Sequence, residues 1–179
     1  MGARTTVNPF AIQEIADALG GLDIPVLVKN PVNPDVELWL GAIERLNRSG
    51  IRRIAGLHRG FSGLEKSPLR NEPQWQIPIE VRRRLPDLPM FCDPSHIAGK
   101  REYLQEIAQE AMDLNYDGLM LETHCNPEHA LSDAEQQVTP AGLKGLLSKL
   151  VLRQATADDE DFQRELSIRR SEIDRIDQE

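Results

Sequence analysis

Aromatic residues are scarce, at 4% of the chain, and no apolar run approaches the roughly 20 residues that a membrane-crossing helix needs. Cysteine is scarcer still. Cys92 and Cys125 are too few for a disulfide-built scaffold, and their strand and loop contexts suit a reduced intracellular protein. Positive charge is also short: 21 Lys and Arg face 29 Asp and Glu, leaving −8, which argues against the basic surface that nucleic-acid binding requires. The opening MGARTTVNPF lacks the apolar core of a secretion signal. These absences lead us to expect a cytoplasmic protein without nucleic-acid or membrane partners.

What is present is a repeated unit. Four apolar runs each end in a short polar string: KNPVNP after IPVLV, HRGFS after IRRIAGL, DPSH after LPMF, and ETH after DGLML. The strings begin at Lys29, His58, Asp93 and Glu122, and helical patterns fill the gaps. Short buried strands alternating with amphipathic helices imply a parallel sheet covered by helices. Parallel strands release their side chains at one carboxyl edge, so Lys29, Arg59, His96 and Glu122 should converge on a single mouth.

Helices are expected over 9–20, with Asn8 as N-cap and Pro9 at the first helical position, and over 35–47, 79–84, 101–114 and 140–151. Strands are expected at 24–28, 51–57, 88–92 and 118–121. Residues 60–78 form a connection too long to be a mere link, and 127–137 reads as loop and short helix. Four strands are half the complement of an eight-stranded α/β barrel of about 250 residues. The opening GAR also looks like the end of a further strand. The fold class expected is therefore α/β, a partial (β/α)8 barrel over residues 1–152, about its second half. A linker over 153–161 should lead to an amphipathic helix over 162–179 that opens a truncated all-α domain. The tail from Arg153 carries nine acids against five arginines, and Phe162, Leu166, Ile173 and Ile176 form a stripe that Arg169 interrupts.

Each candidate site residue has a bland reading beside the functional one. His96 alone could be structural, Glu122 a salt-bridge partner, and Asp133 a helix cap after Ser132. Taken together, one imidazole and two carboxylates from successive loops suit a divalent transition metal. Arg4 and Thr5 could cap the following helix, Lys29 could pair with an acid, and Arg59 could be an ordinary surface arginine. Three cations at neighbouring strand ends instead favour a pocket for a small anion. His58 and His124 read as packed polar groups or as supports of the site. Cys92 reads as core, and Trp39 and Trp75 as packing and loop anchors.

The strings GARTT (2–6), PVLVKN (25–30), HRGFS (58–62), CDPSH (92–96), DGLMLETH (117–124) and SDAEQQVTP (132–140) resemble 3-deoxy-7-phosphoheptulonate synthase of type I. The likeness is greatest to the subgroup similar to 3-deoxy-octulosonate 8-phosphate synthase. The resemblance implies a metal-dependent (β/α)8 barrel that condenses phosphoenolpyruvate with erythrose 4-phosphate. It implies that Arg4 and Arg59 hold the phosphoenolpyruvate phosphate, that Lys29 contacts the same substrate, and that Lys29, Arg59 and His96 carry the catalysis. His96, Glu122 and Asp133 would be three of four ligands to a divalent ion, one of Mn2+, Fe2+, Zn2+ or Co2+. The family's fourth ligand, a cysteine on the first strand, and its Lys-Pro-Arg-Thr segment have no match here, so this stretch is expected to be a fragment that is inactive by itself. The full-length form would be a homo-oligomer.

The tail IRRSEIDRIDQE (168–179) resembles the first helix of helical chorismate mutases, with Arg169 where their pattern has leucine. That likeness implies a bifunctional parent, with Arg170 gripping a carboxylate of chorismate or prephenate. The enzymatic rival is an octulosonate 8-phosphate synthase. The non-enzymatic rival is a degenerate barrel with a dimerisation helix.

Overall fold

Four strands form one parallel sheet in the order β1-β2-β3-β4: Val26–Lys29, Ile54–His58, Met90–Cys92 and Gly118–Leu119. This is the computed structural model of the chain, and it describes residues 1–63, 67–152 and 160–176. Strands that follow one another in sequence are also neighbours in space, so every crossover winds the same way around the sheet. The register pairs Val28 with Gly56, Gly56 with Met90, and Phe91 with Gly118. Side chains alternate between two faces, which fixes what each face presents.

The outer face is the core. Val26, Val28, Met90 and Cys92 are buried there against α2 (Pro9–Leu19), α3 (Val36–Arg48), α4 (Gln76–Arg84) and α6 (Leu104–Asp113). Trp39 of α3 is fully buried, and its indole N–H donates to Val28 O at 3.1 Å. Where it crosses β2 only a glycine fits, since a Cβ on Gly56 would stand 2.8 Å from Met90 Sδ and 3.3 Å from Trp39. Each large apolar side chain buried in this layer contributes about 2 kcal/mol. The inner face presents Leu27, Ala55, Leu57 and Phe91 by alternation, then turns polar at the carboxyl edge with Lys29, Arg59 and Asp93.

Helix starts follow the sequence closely. Asn8 Oδ1 accepts from the backbone N–H groups of Phe10 and Ala11, and Pro9 opens α2 as expected. Asp35 caps α3 through Leu38 N–H at 3.0 Å, and Thr139 caps α7 (Pro140–Ser148) through Gly142 N–H at 3.1 Å.

Several details differ from expectation, among them the shorter last strand, which stops at Leu119, and the shorter α7, which stops at Ser148. The opening Ala3–Thr6 is a helical turn, α1, and only Met1 runs beside β1, with its amino group on Leu27 O and its carbonyl taking Lys29 N–H. The helix expected from residue 79 begins at Gln76, because proline is tolerated in a first turn whose N–H groups have no intrahelical partner. Asp93-Pro-Ser-His starts a helix, α5 (Pro94–Ala98), too short to leave a periodic signal. The helix expected from 101 opens with a 3-10 turn, Arg101–Tyr103, before α6.

The helix expected over 162–179 is α8, Glu160–Ile176, with Phe162, Ile168, Ile173 and Ile176 exposed and Leu166 half-buried. The expected linker lies outside the described residues up to 159, as do residues 177–179 of the expected helix. No helix among the described residues is long and apolar enough to cross a membrane.

Candidate active site

Asp93 is the hub of the carboxyl edge. It follows β3 directly, is fully buried, and caps α5 by accepting from His96 N–H at 3.1 Å. Its Oδ2 lies 3.2 Å from Lys29 Nζ at the end of β1 and 2.9 Å from His96 Nδ1. The His96 contact is close but off the straight line of a full hydrogen bond. Burial by itself would raise the Asp93 pKa. His96 and Lys29 outweigh that and hold it below the usual carboxylate value.

With Nδ1 turned to Asp93, His96 presents Nε2 to the rim, 3.8 Å from Glu122 Oε1. Glu122 is placed by its own backbone N–H, which donates to the buried Ser95 Oγ at 3.0 Å. His96, Glu122 and Asp133 each offer a ligand atom, all within 4.8 Å of one another. Two ligands on one tetrahedral ion stand roughly 3.4 Å apart, so small side-chain shifts suffice to close the set. A histidine whose second nitrogen faces a carboxylate is the usual support for a metal-bound imidazole. These residues therefore fit a divalent ion. Asp133 does not cap a helix: it sits in the left-handed region at φ 53°, in a turn between Ser132 and Gln136. Aspartate is among the few side chains that tolerate this region, which suits a turn.

The cationic side of the rim is built around Arg59. Its backbone N–H donates to the buried Asn30 Oδ1 at 2.7 Å, and its guanidinium donates to Asn71 Oδ1 at 2.8 Å. Burial lowers the Arg59 pKa, opposed by Asp93 and reinforced by Arg70 and Arg4, so these positive groups share one field. Arg4 is an exposed residue of α1, and α1 is tied to β1 by Thr6 Oγ1 donating to Lys29 O at 2.8 Å. Lys29, Arg59, His96, Glu122 and Asp133 are thus brought together, with Arg4 at the margin. Arg170 lies exposed on α8 and is not among the residues gathered at this rim.

His58 belongs to the packed polar groups. The carbonyl of Pro73 can only accept, so His58 Nε2 carries the hydrogen at 2.6 Å, and Nδ1 accepts from Tyr116 hydroxyl at 3.0 Å. Trp75 stacks edge-on to His58 with ring centres 4.9 Å apart, anchoring the long loop as expected. His124 accepts from Asn126 N–H at 3.0 Å in a local turn. Cys92 is buried in the core and Cys125 is exposed, both as free thiols.

Sequence reading missed Asn30, Arg70, Asn71 and Gln136, and it did not separate Asp93 from its motif. Arg70 and Asn71 lie in the long loop, where no periodicity assigns a direction to a side chain. A cavity of about 450 Å³ opens beside Arg70, Gly99, Asp133 and Gln136. The larger groove of about 910 Å³ runs along Leu27, Ala55, Phe91 and the 85–89 turn, and it holds none of the candidate residues.

A parallel sheet covered by helices, with a His-Glu-Asp cluster and cations gathered at its carboxyl edge, places the chain among α/β proteins whose polar groups collect at the strand ends. The family model described as "DAHP synthetase I family" matches residues 1–156. The chain belongs to that family. It is 30% identical over 150 residues to a phospho-2-dehydro-3-deoxyheptonate aldolase of Thermotoga maritima, covering 84% of this chain and 43% of that protein. It is 37% identical over 84 residues to a 2-dehydro-3-deoxyphosphooctonate aldolase of Bradyrhizobium sp., covering 41% of this chain and 29% of that one. A truncated form of 3-deoxy-D-arabino-heptulosonate 7-phosphate synthase from Thermotoga maritima superposes with a TM-score of 0.73 at 28% identity, covering 83% of this chain and 55% of that chain. The crystal structure of the phospho-2-dehydro-3-deoxyheptonate aldolase from that organism gives the same score and identity, with 42% of that chain covered. The chain therefore spans about half or less of the relatives it matches.

Proposed function

We propose that this protein takes part in the condensation of phosphoenolpyruvate with erythrose 4-phosphate and water, giving 3-deoxy-7-phosphoheptulonate and phosphate. The observation that carries this reading is the convergence of His96, Glu122 and Asp133 within 4.8 Å beside the Lys29 and Arg59 cations. A divalent ion held by His96, Glu122 and Asp133 supplies Lewis-acid polarisation of an aldehyde oxygen when bound.

The chain's own residues account for the other substrate. Arg59, with one arm of its fork pinned by Asn71, keeps its remaining donors for a phosphate, and Arg4 adds charge from the margin. Lys29, balanced by Asp93, meets the same anion as a point charge. Held this way, the enol carbon of phosphoenolpyruvate attacks the aldehyde carbon, water adds to the cationic carbon, and phosphate leaves by C–O cleavage. Positioning of this kind contributes about 7–11 kcal/mol at best.

In this reading residues 1–152 form the second half of a (β/α)8 barrel, consistent with the consecutive parallel strand order and the apolar inner face. The helix α8 opens a chorismate-mutase-like domain, with Arg170 meeting a carboxylate of chorismate or prephenate. The full-length protein is a homo-oligomer and works in the cytoplasm.

The test is a coupled one. The full-length parent is titrated with Mn2+ and then with phosphoenolpyruvate, and phosphate release is followed with erythrose 4-phosphate or arabinose 5-phosphate. Metal-dependent release with erythrose 4-phosphate, lost in His96→Ala, is expected. Release with arabinose 5-phosphate alone overturns the substrate, and Mn2+ affinity unchanged in His96→Ala overturns the metal site.

A further inference from the structure

The two carboxylates of the metal cluster are joined by a bridge that the proposed reaction does not use. Arg70 Nη1 donates to Asp133 Oδ1 at 2.5 Å and to Gln136 Oε1 at 2.6 Å. Gln136 Nε2 donates in turn to Glu122 Oε2 at 2.7 Å. The amide orientation is forced, because a guanidinium only donates and a carboxylate only accepts. Gln136 is 1% exposed, and its two bonds are partly shielded from water.

The oxygens used matter. The bridge takes Oδ1 of Asp133 and Oε2 of Glu122, and it leaves Oε1 of Glu122 as the atom that faces His96 Nε2. Arg70 is held in place from behind: its backbone N–H donates to Ala98 O, and the next residue's to Ile97 O, both at 3.2 Å. Gly99, in the left-handed region at φ +69°, leaves room for its stem, since a Cβ there would lie 2.5 Å from Arg70 Cβ. The neighbouring Asn71 donates to His96 O at 2.6 Å and accepts from Arg59.

We propose that Arg70 and Gln136 are positioning residues that act as one unit, fixing which oxygens Asp133 and Glu122 turn toward a bound divalent ion. The proposal rests on the metal reading above. Outer partners of ligating groups are worth roughly 10- to 100-fold in metal affinity. The opposing effect is repulsion between the guanidinium and a dication. Arg70 is partly exposed to solvent, which screens that repulsion, whereas the bridge itself is short and lies partly in the interior. Positioning therefore prevails.

The experiment measures Mn2+ affinity of the full chain by calorimetry and by electron paramagnetic resonance, with thermal unfolding of the metal-free protein alongside. Arg70→Met and Gln136→Leu are each expected to weaken Mn2+ binding about tenfold, and the double variant little more than either alone, because one bridge is cut once or twice. Arg70→Lys should recover part of the loss. Arg70 is half-exposed, so Arg70→Met keeps the test alive where Gln136→Leu fails to fold. Affinity in Arg70→Met equal to or tighter than the parent's overturns the proposal, as does full additivity of the two losses. His96→Ala is the separating control: if it binds Mn2+ like the parent, the metal site itself is misplaced and the bridge is not the cause.

Discussion

Lys29 Nζ and Asp93 Oδ2 meet at 3.2 Å across two strand ends, and the carboxylate of the pair is entirely buried. Asp93 thereby serves three neighbours: the Lys29 ammonium, the His96 ring and the first turn of α5. Replacing it by asparagine keeps the cap but leaves Lys29 without its counter-charge, at an expected cost of about 3 kcal/mol. Asp93→Ala loses the cap as well, adding about 1 kcal/mol. Both should weaken Mn2+ binding by roughly 10- to 100-fold, because His96 loses its orienting partner. Chemical unfolding and Mn2+ titration of the two variants check this. Parent-like metal affinity in Asp93→Asn would detach His96 from Asp93.

His58 gives the molecule a pH dependence in a separate window. Burial pushes its pKa down to about 4, with Arg59 adding and the Pro73 carbonyl and Asp93 opposing. The unfolded chain takes up this proton from about pH 6.5 downward, while the folded chain resists until about pH 4. Stability from this group is thus complete above pH 6.5 and is lost as pH falls, by about 2 kcal/mol between pH 7 and pH 5. Asp93 acts lower, since its depressed pKa keeps its contribution until the pH drops below its ordinary value of 3.8. Urea unfolding at pH 7 and pH 5 should show a smaller difference for His58→Gln than for the parent. Equal differences would mean that His58 is not the group that titrates.

The sequence announced the rim well because strand ends in a parallel sheet share one edge. Lys29, Arg59, His96 and Glu122 could be assigned to that edge from four apolar runs and the polar strings behind them. The capped starts at Asn8 and Asp35 were legible for a local reason, a side-chain acceptor placed just before a periodic segment. Arg70, Asn71 and Gln136 were not legible. Their roles depend on hydrogen bonds across 12 to 66 residues, made by side chains whose direction no repeat encodes. Asp133 stood in between: its motif marked it, but the left-handed backbone that sets it against Arg70 is a tertiary outcome.

Arg59 tests the anion side of the rim. One guanidinium nitrogen is engaged by Asn71 at 2.8 Å, and the backbone is pinned by Asn30, so the group is already ordered before a ligand arrives. A lysine there keeps the charge but loses the fork and the Asn71 bond. Arg59→Lys should weaken phosphoenolpyruvate binding by about tenfold and Arg59→Met by more, since a hydrogen bond to a charged group is worth about 1.5–3 kcal/mol. Calorimetric titration with phosphoenolpyruvate reads this directly. Unchanged affinity in Arg59→Met would remove Arg59 from the anion site.

Gly99 separates backbone strain from the packing of Arg70. Its φ of +69° costs an alanine about 1–2 kcal/mol, and the added Cβ would also stand 2.5 Å from Arg70 Cβ. Gly21 has a similar φ of +79° with nothing within 4 Å of its position, so Gly21→Ala carries the conformational cost alone. Gly99→Ala should therefore destabilise the fold by about 2–3 kcal/mol and Gly21→Ala by about 1 kcal/mol. Arg70 cannot keep its place in Gly99→Ala without a shift of the α5 end, so Mn2+ affinity should fall there and stay at the parent's value in Gly21→Ala. Equal stability losses, with parent-like Mn2+ binding in both, would show that the space above Gly99 is not what seats Arg70 against Asp133.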